Sequence, residues 1–82
     1  MKLYHWTSLE NSKRIDKEGL KRGTWCIYLC RGPEVWHGEV CYEVNVARHR
    51  GYKLSMPFNY WEILCWNDIP LKDIRRLPTD CL

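Results

Sequence analysis

The chain has 82 residues, 45% hydrophobic and 28% charged, with a formal net charge of +3. That length suits one small domain with a modest core, and it leaves no room for a multidomain machine. The charge biases the surface toward anionic ligands but falls short of the basic stripe of a dedicated nucleic-acid binder.

Lys2 to Trp6 reads as a first strand. Within it His5 and Thr7 are two residues apart, so an extended backbone sends both side chains to one face. Thr7-Ser8-Leu9-Glu10 has the form of a capping box, with Thr7 as N-cap of a helix that runs to Glu18 and stops at Gly19. Leu9 and Ile15, with Leu20 just beyond the end, give that helix a thin apolar face. His5 and Thr7 then lie beside a helix N-terminus, where unpaired backbone N–H groups favour phosphate or another anion. The plainer reading of the same residues is a capping threonine and a half-buried strand histidine.

Trp25 to Cys30 is an apolar run of strand length, broken by Arg31-Gly32-Pro33, and Pro33 to His37 fits a single helical turn. Glu39 to Val46 shows the cleanest alternation in the chain, with Val40, Tyr42, Val44 and Val46 expected in the core. Residues 47–57 are irregular and basic, with a turn at Gly51 and a short strand at Tyr52 to Leu54. Asn59 to Trp66 reads as a strand with Glu62, Leu64 and Trp66 on one face and Trp61, Ile63 and Cys65 on the other. Asp68 and Pro70 look like the cap and first residues of a short last helix pinned by Ile74 and Leu77. Together these elements predict an α+β domain over residues 1–82. Arg48, His49 and Arg50, and Lys72, Arg75 and Arg76, form two basic clusters, read as solvated faces or as anion contacts.

The chain contains five cysteines, Cys26, Cys30, Cys41, Cys65 and Cys81. The odd count, the missing CxxC pair and the lack of a signal-like N-terminus point to free thiols in a reducing, cytoplasmic setting. Cys26 and Cys30 read as small buried hydrophobes, and a metal site drawn through Cys26, Cys30, His37 and Cys41 is the alternative. No apolar run approaches membrane-spanning length.

Glu62 opens an otherwise apolar strand, where a carboxylate is costly unless it is paired or faces a cleft. An edge charge that discourages aggregation is the structural explanation. Y-H-W-T-S at the start, E-G-L at the end of the helix, I-Y-L-C, C-Y-E-V-N-V and W-E-I-L-C-W-N-D-I-P follow one another in order. Taken together from Leu3 to Leu77, they resemble the ADP-ribosyltransferase superfamily, closest to its diphtheria-toxin-like and DNA-targeting toxin branches. The resemblance implies two short packed β-sheets around a cleft, with one main helix and a short C-terminal helix. It also implies NAD as substrate. His5 and Thr7 would bind its ribose and amide groups, Tyr28 would stack on nicotinamide, and Glu62 would be the catalytic glutamate. Trp6 stands where the family usually has a small residue, and Tyr60 stands where arginine-modifying members carry Gln or Glu. The expected activity is transfer of ADP-ribose to a protein or nucleic-acid acceptor, away from membranes. The alternative is a non-catalytic nucleotide-binding or protein-interaction module.

Overall fold

The computed structural model describes residues 1–27, 38–56 and 62–78. Its elements are β1 (Lys2–Thr7), α1 (Leu9–Glu18), β2 (Thr24–Ile27), β3 (Val40–Asn45), β4 (Leu54–Ser55), β5 (Glu62–Cys65) and β6 (Ile74–Arg76). Short 3-10 turns occupy Arg48–Arg50 and Leu71–Asp73. The strands form a six-stranded antiparallel sheet in the order β4-β5-β2-β1-β3-β6.

This corrects the expected α+β arrangement of two packed sheets. Among the described residues there is a single sheet with one α-helix, so the domain is mostly β. The reason lies in β1, which pairs with β3 on one side, from Lys2↔Asn45 to Thr7↔Val40, and with β2 on the other, at Tyr4↔Ile27. One strand with partners on both edges welds the halves β4-β5-β2 and β1-β3-β6 together. The predicted last helix is also absent. After Pro70 the chain makes only the 3-10 turn Leu71–Asp73, and Ile74, Arg75 and Arg76 then pair with Val44, Glu43 and Tyr42. The open edge of β3 outcompetes a helix too short to bury an apolar face.

Cross-strand partners share a face of the sheet, so the register sorts the side chains. Leu3, Tyr42, Val44, Cys26, Ile63 and Cys65 pack with Ile15 of α1 on one face. Trp6, Ile27 and Cys41, with Tyr4 and Leu77 against them, form a second cluster on the other. Cys41, out of phase with Val40 and Tyr42, faces away from the helix-covered core, but that far side has a small core of its own.

The helix starts one residue later than the capping box implies. Ser8, not Thr7, is the N-cap, its side chain accepting from the Asn11 N–H at 3.1 Å, while Thr7 completes β1 opposite Val40. Leu9 is 49% exposed, and the buried residues of α1 are Ser12 and Ile15. A polar tether assists so thin an apolar contact. The Tyr42 hydroxyl donates to Asp16 Oδ1 at 2.6 Å, and Asp16 Oδ2 accepts from Arg76 at 2.9 Å. Burial, reinforced by Asp16, pushes the Tyr42 hydroxyl up to about 12, so it remains a donor. Gly19 ends the helix at φ +78, and a Cβ there would overlap the Ile69 carbonyl oxygen, where Leu20 and Ile69 exchange backbone hydrogen bonds at 3.0 and 2.7 Å.

Candidate functional site

His5 and Thr7 project from β1 on the helix-covered face, as their spacing requires. The ladder between β1 and β2 is in register at Tyr4↔Ile27, and the His5 Nδ1 takes the Trp25 carbonyl at 2.8 Å. A carbonyl only accepts, so Nδ1 carries the proton. Burial lowers the His5 pKa below the ordinary 6.5, against a smaller opposing effect of the Trp25 bond. The ring is therefore neutral at pH 7, and its Nε2 carries a lone pair suited to accepting from a hydroxyl. Thr7 is 6% exposed, and Gly38 approaches its carbonyl so closely that a Cβ at residue 38 would overlap the oxygen.

Glu62 begins β5, half-buried, in register with Ile27, which is in turn in register with Tyr4. The strands β5, β2 and β1 are thus neighbours, and a row Glu62–Ile27–Tyr4 spans about 10 Å at roughly 5 Å per step. Glu43 and Arg75 extend that row on the far side of Tyr4, joined by an ion pair at 3.1 Å. The pleat sets this row on the face opposite His5 and Thr7. The register therefore brings Glu62 within two strands of His5 but turns the two side chains to different sides of the sheet. Tyr28, the expected stacking aromatic, lies outside the described residues, as do Tyr60, Cys30, Cys81 and the turn expected at Pro33 to His37. Trp6 shares the Glu62 face and is packed at 8% exposure with Ile27 and Cys41, away from the His5 ring.

The basic clusters are more engaged than solvated faces would be. Arg50 pairs with Asp73 at 2.6 Å and donates to the Asn45 carbonyl at 2.9 Å, Arg48 donates to the Leu54 carbonyl at 3.2 Å, and Arg75 and Arg76 pair with Glu43 and Asp16. Asp73 also accepts from the Tyr52 hydroxyl, and these two bonds hold its carboxyl below the usual range, that from Tyr52 first.

Cys26, Cys41 and Cys65 are buried free thiols, and burial pushes Cys26 up to about 12, which leaves no thiolate for nucleophilic chemistry. Among the described residues no group of three or more His, Cys, Asp or Glu side chains is arranged to hold a metal ion. Among them, too, no helix is long and apolar enough to cross a membrane.

A region the motifs do not mark lies at the far end of β2 and β5. Lys21, Arg22 and Asp68 line an open cavity of about 460 Å³. Asp68, expected to cap a helix, instead accepts from the Arg22 backbone N–H at 2.8 Å. Trp25 lies three residues after Arg22 and Trp66 two residues before Asp68 in the chain, and they are 38% and 49% exposed. The alternation of β5 already assigned Trp66 to the Glu62 face; the neighbourhood of Trp25 depends on strand pairing and has no local signal. Comparison of the chain with protein-family models, curated proteins and solved structures gives no match.

Proposed function

We propose that the chain is an NAD-dependent ADP-ribosyltransferase whose carboxylate is Glu62. Nicotinamide departs with the electron pair of its bond to the ribose carbon. Glu62 supports the positive charge that develops on the sugar, and an acceptor nucleophile of a protein or nucleic acid then attacks that carbon and releases its proton. A fixed carboxylate in a water-poor setting is the group such a transition state requires. The observation that carries this reading is the row Glu62–Ile27–Tyr4, which sets a half-buried carboxylate beside an apolar side chain and in line with an aromatic one. His5, a neutral ring with its proton on Nδ1, lies on the opposite face of the sheet and does not reach the sugar that Glu62 would serve.

A second reading, a nucleotide-binding module without catalysis, is favoured by the pleat that turns His5 and Glu62 to opposite faces. NAD turnover and NAD calorimetry on the parent and on Glu62→Gln separate the two. Turnover that falls by about 100-fold or more in Glu62→Gln, with an unchanged melting temperature, supports the transferase. NAD binding without turnover supports the module, and neither binding nor turnover overturns both.

A further inference from the structure

We infer that the face of the sheet turned away from α1 carries a binding site for single-stranded nucleic acid. Trp25 and Trp66 are its stacking surfaces, and Lys21, Arg22 and Lys53 are its phosphate contacts. Trp25 is in register with Leu64, and Leu64 with Ser55. Trp66 lies two residues beyond Leu64, and its indole Nε1 donates to Ser55 Oγ at 2.9 Å, which holds the ring on the same face. The two residues therefore occupy diagonal positions about 7–8 Å apart at the backbone, and the Trp66 ring is drawn toward Ser55 of β4, so that the two indoles flank Leu64. They are among the most exposed large hydrophobic residues described, while Leu64 beside them is 8% exposed and forms the floor. The bond to Ser55, and the Trp66 N–H to the Lys53 carbonyl at 2.9 Å, order this ring before any ligand arrives.

The cations belong to the same end of the sheet. Lys21 and Arg22 are exposed and line the cavity of about 460 Å³, in the size range of nucleotide-sized pockets. Gly23 ties this turn to β5 through its N–H to the Cys65 carbonyl at 2.8 Å. Exposed Lys53 flanks Trp66 on the other side, its backbone N–H bonded to Asn67 Oδ1 at 2.6 Å. Asp68 is the carboxylate of the cavity, and its Oδ1 is taken by the Arg22 N–H. Exposed aromatics bracketed by three cations match a base-stacking, phosphate-tracking surface. A neutral sugar would need the rings but not the charges, and a duplex would hide its bases from the rings. The site stands independently of NAD chemistry, although Glu62 is on the same strand face, two residues before Leu64, where a bound strand would pass it.

The test is fluorescence anisotropy, without NAD, of the full chain with labelled deoxythymidine and uridine oligomers of about eight nucleotides, a length within the usual site sizes. Binding of either oligomer at low salt is expected, with a logarithmic salt slope near −2 for three phosphate contacts; the two arms report whether the sugar matters. Trp25→Ala and Trp66→Ala should each weaken binding about 5- to 150-fold, while Trp66→Phe, which keeps a ring, retains most of it. Lys21→Ala and Lys53→Ala should each flatten the salt slope by about 0.7. An absence of binding at low salt, alanine variants that bind like the parent, or equal competition by duplex or by a neutral oligosaccharide would each overturn the inference. Because no step uses NAD or the Glu62 carboxyl, this outcome and that of the transferase assay are read separately.

Discussion

The same strands build both faces of the sheet, yet the faces are finished differently. Under α1, Leu3 and Val44 are 0% exposed, and the buried hydroxyls of Tyr42 and Tyr52 are tied to Asp16 and Asp73. On the other face a small cluster around Trp6, Ile27 and Cys41 gives way to half-exposed indoles, the Glu62 carboxylate and the ion pairs of Lys2 and Arg75 with Glu43. Burial with every polar group satisfied stabilises the fold; aromatic and charged groups left within reach of solvent are the material of recognition. The comparison assigns stability chiefly to one face and ligand chemistry chiefly to the other.

The hardest test of that division is truncation under the helix. Leu3→Ala should cost about 2–5 kcal/mol in urea denaturation, as full-burial leucine truncations do, whereas Leu77→Ala, only partly buried on the other face, should cost clearly less. Equal losses would break the comparison. A smaller effect is expected at Asp73→Asn, which weakens the acceptor held by Tyr52 and Arg50: about 1–3 kcal/mol for a poorly satisfied buried hydroxyl, read by thermal melting. The smallest is a pH effect at His5. Its folded pKa is below 6.5, so the unfolded chain binds the proton more readily. Stability from this group is thus full above pH 6.5 and declines as pH falls below 6.5 toward the depressed folded value. The difference between the parent and His5→Gln in denaturation midpoint across that range isolates it; a flat difference would place His5 in a solvated site.

Period-two alternation was legible wherever a strand kept one face dry. Val40, Tyr42 and Val44, and the opposite assignments of Ile63 and Glu62, follow from residue order alone, because adjacent side chains in an extended chain must point apart. The stop at Gly19 was legible for a similarly local reason, its positive φ. The cap was misassigned by one residue because Thr7 and Ser8 are both competent, and the chain chose the one that left Thr7 in the ladder with Val40. Asp68 and Pro70 carry genuine helix-start chemistry, but the unpaired edge of β3 offered Ile74 to Arg76 a better set of hydrogen bonds.

Composition and local pattern by themselves pointed to a small domain with Cys26 as a buried thiol, a helix that ends at Glu18 before Gly19, and the facing of each alternating strand. Tertiary structure alone decided that β1 would lie inside a single sheet, that His5 and Glu62 would be near in strand order but opposite in facing, and that Trp25 and Trp66 would start from diagonal positions on one face. The physical reason is range. Alternation and capping are set by neighbours a few residues away, whereas strand order is set by which distant edges satisfy one another's backbone groups, and no short stretch of sequence contains that choice.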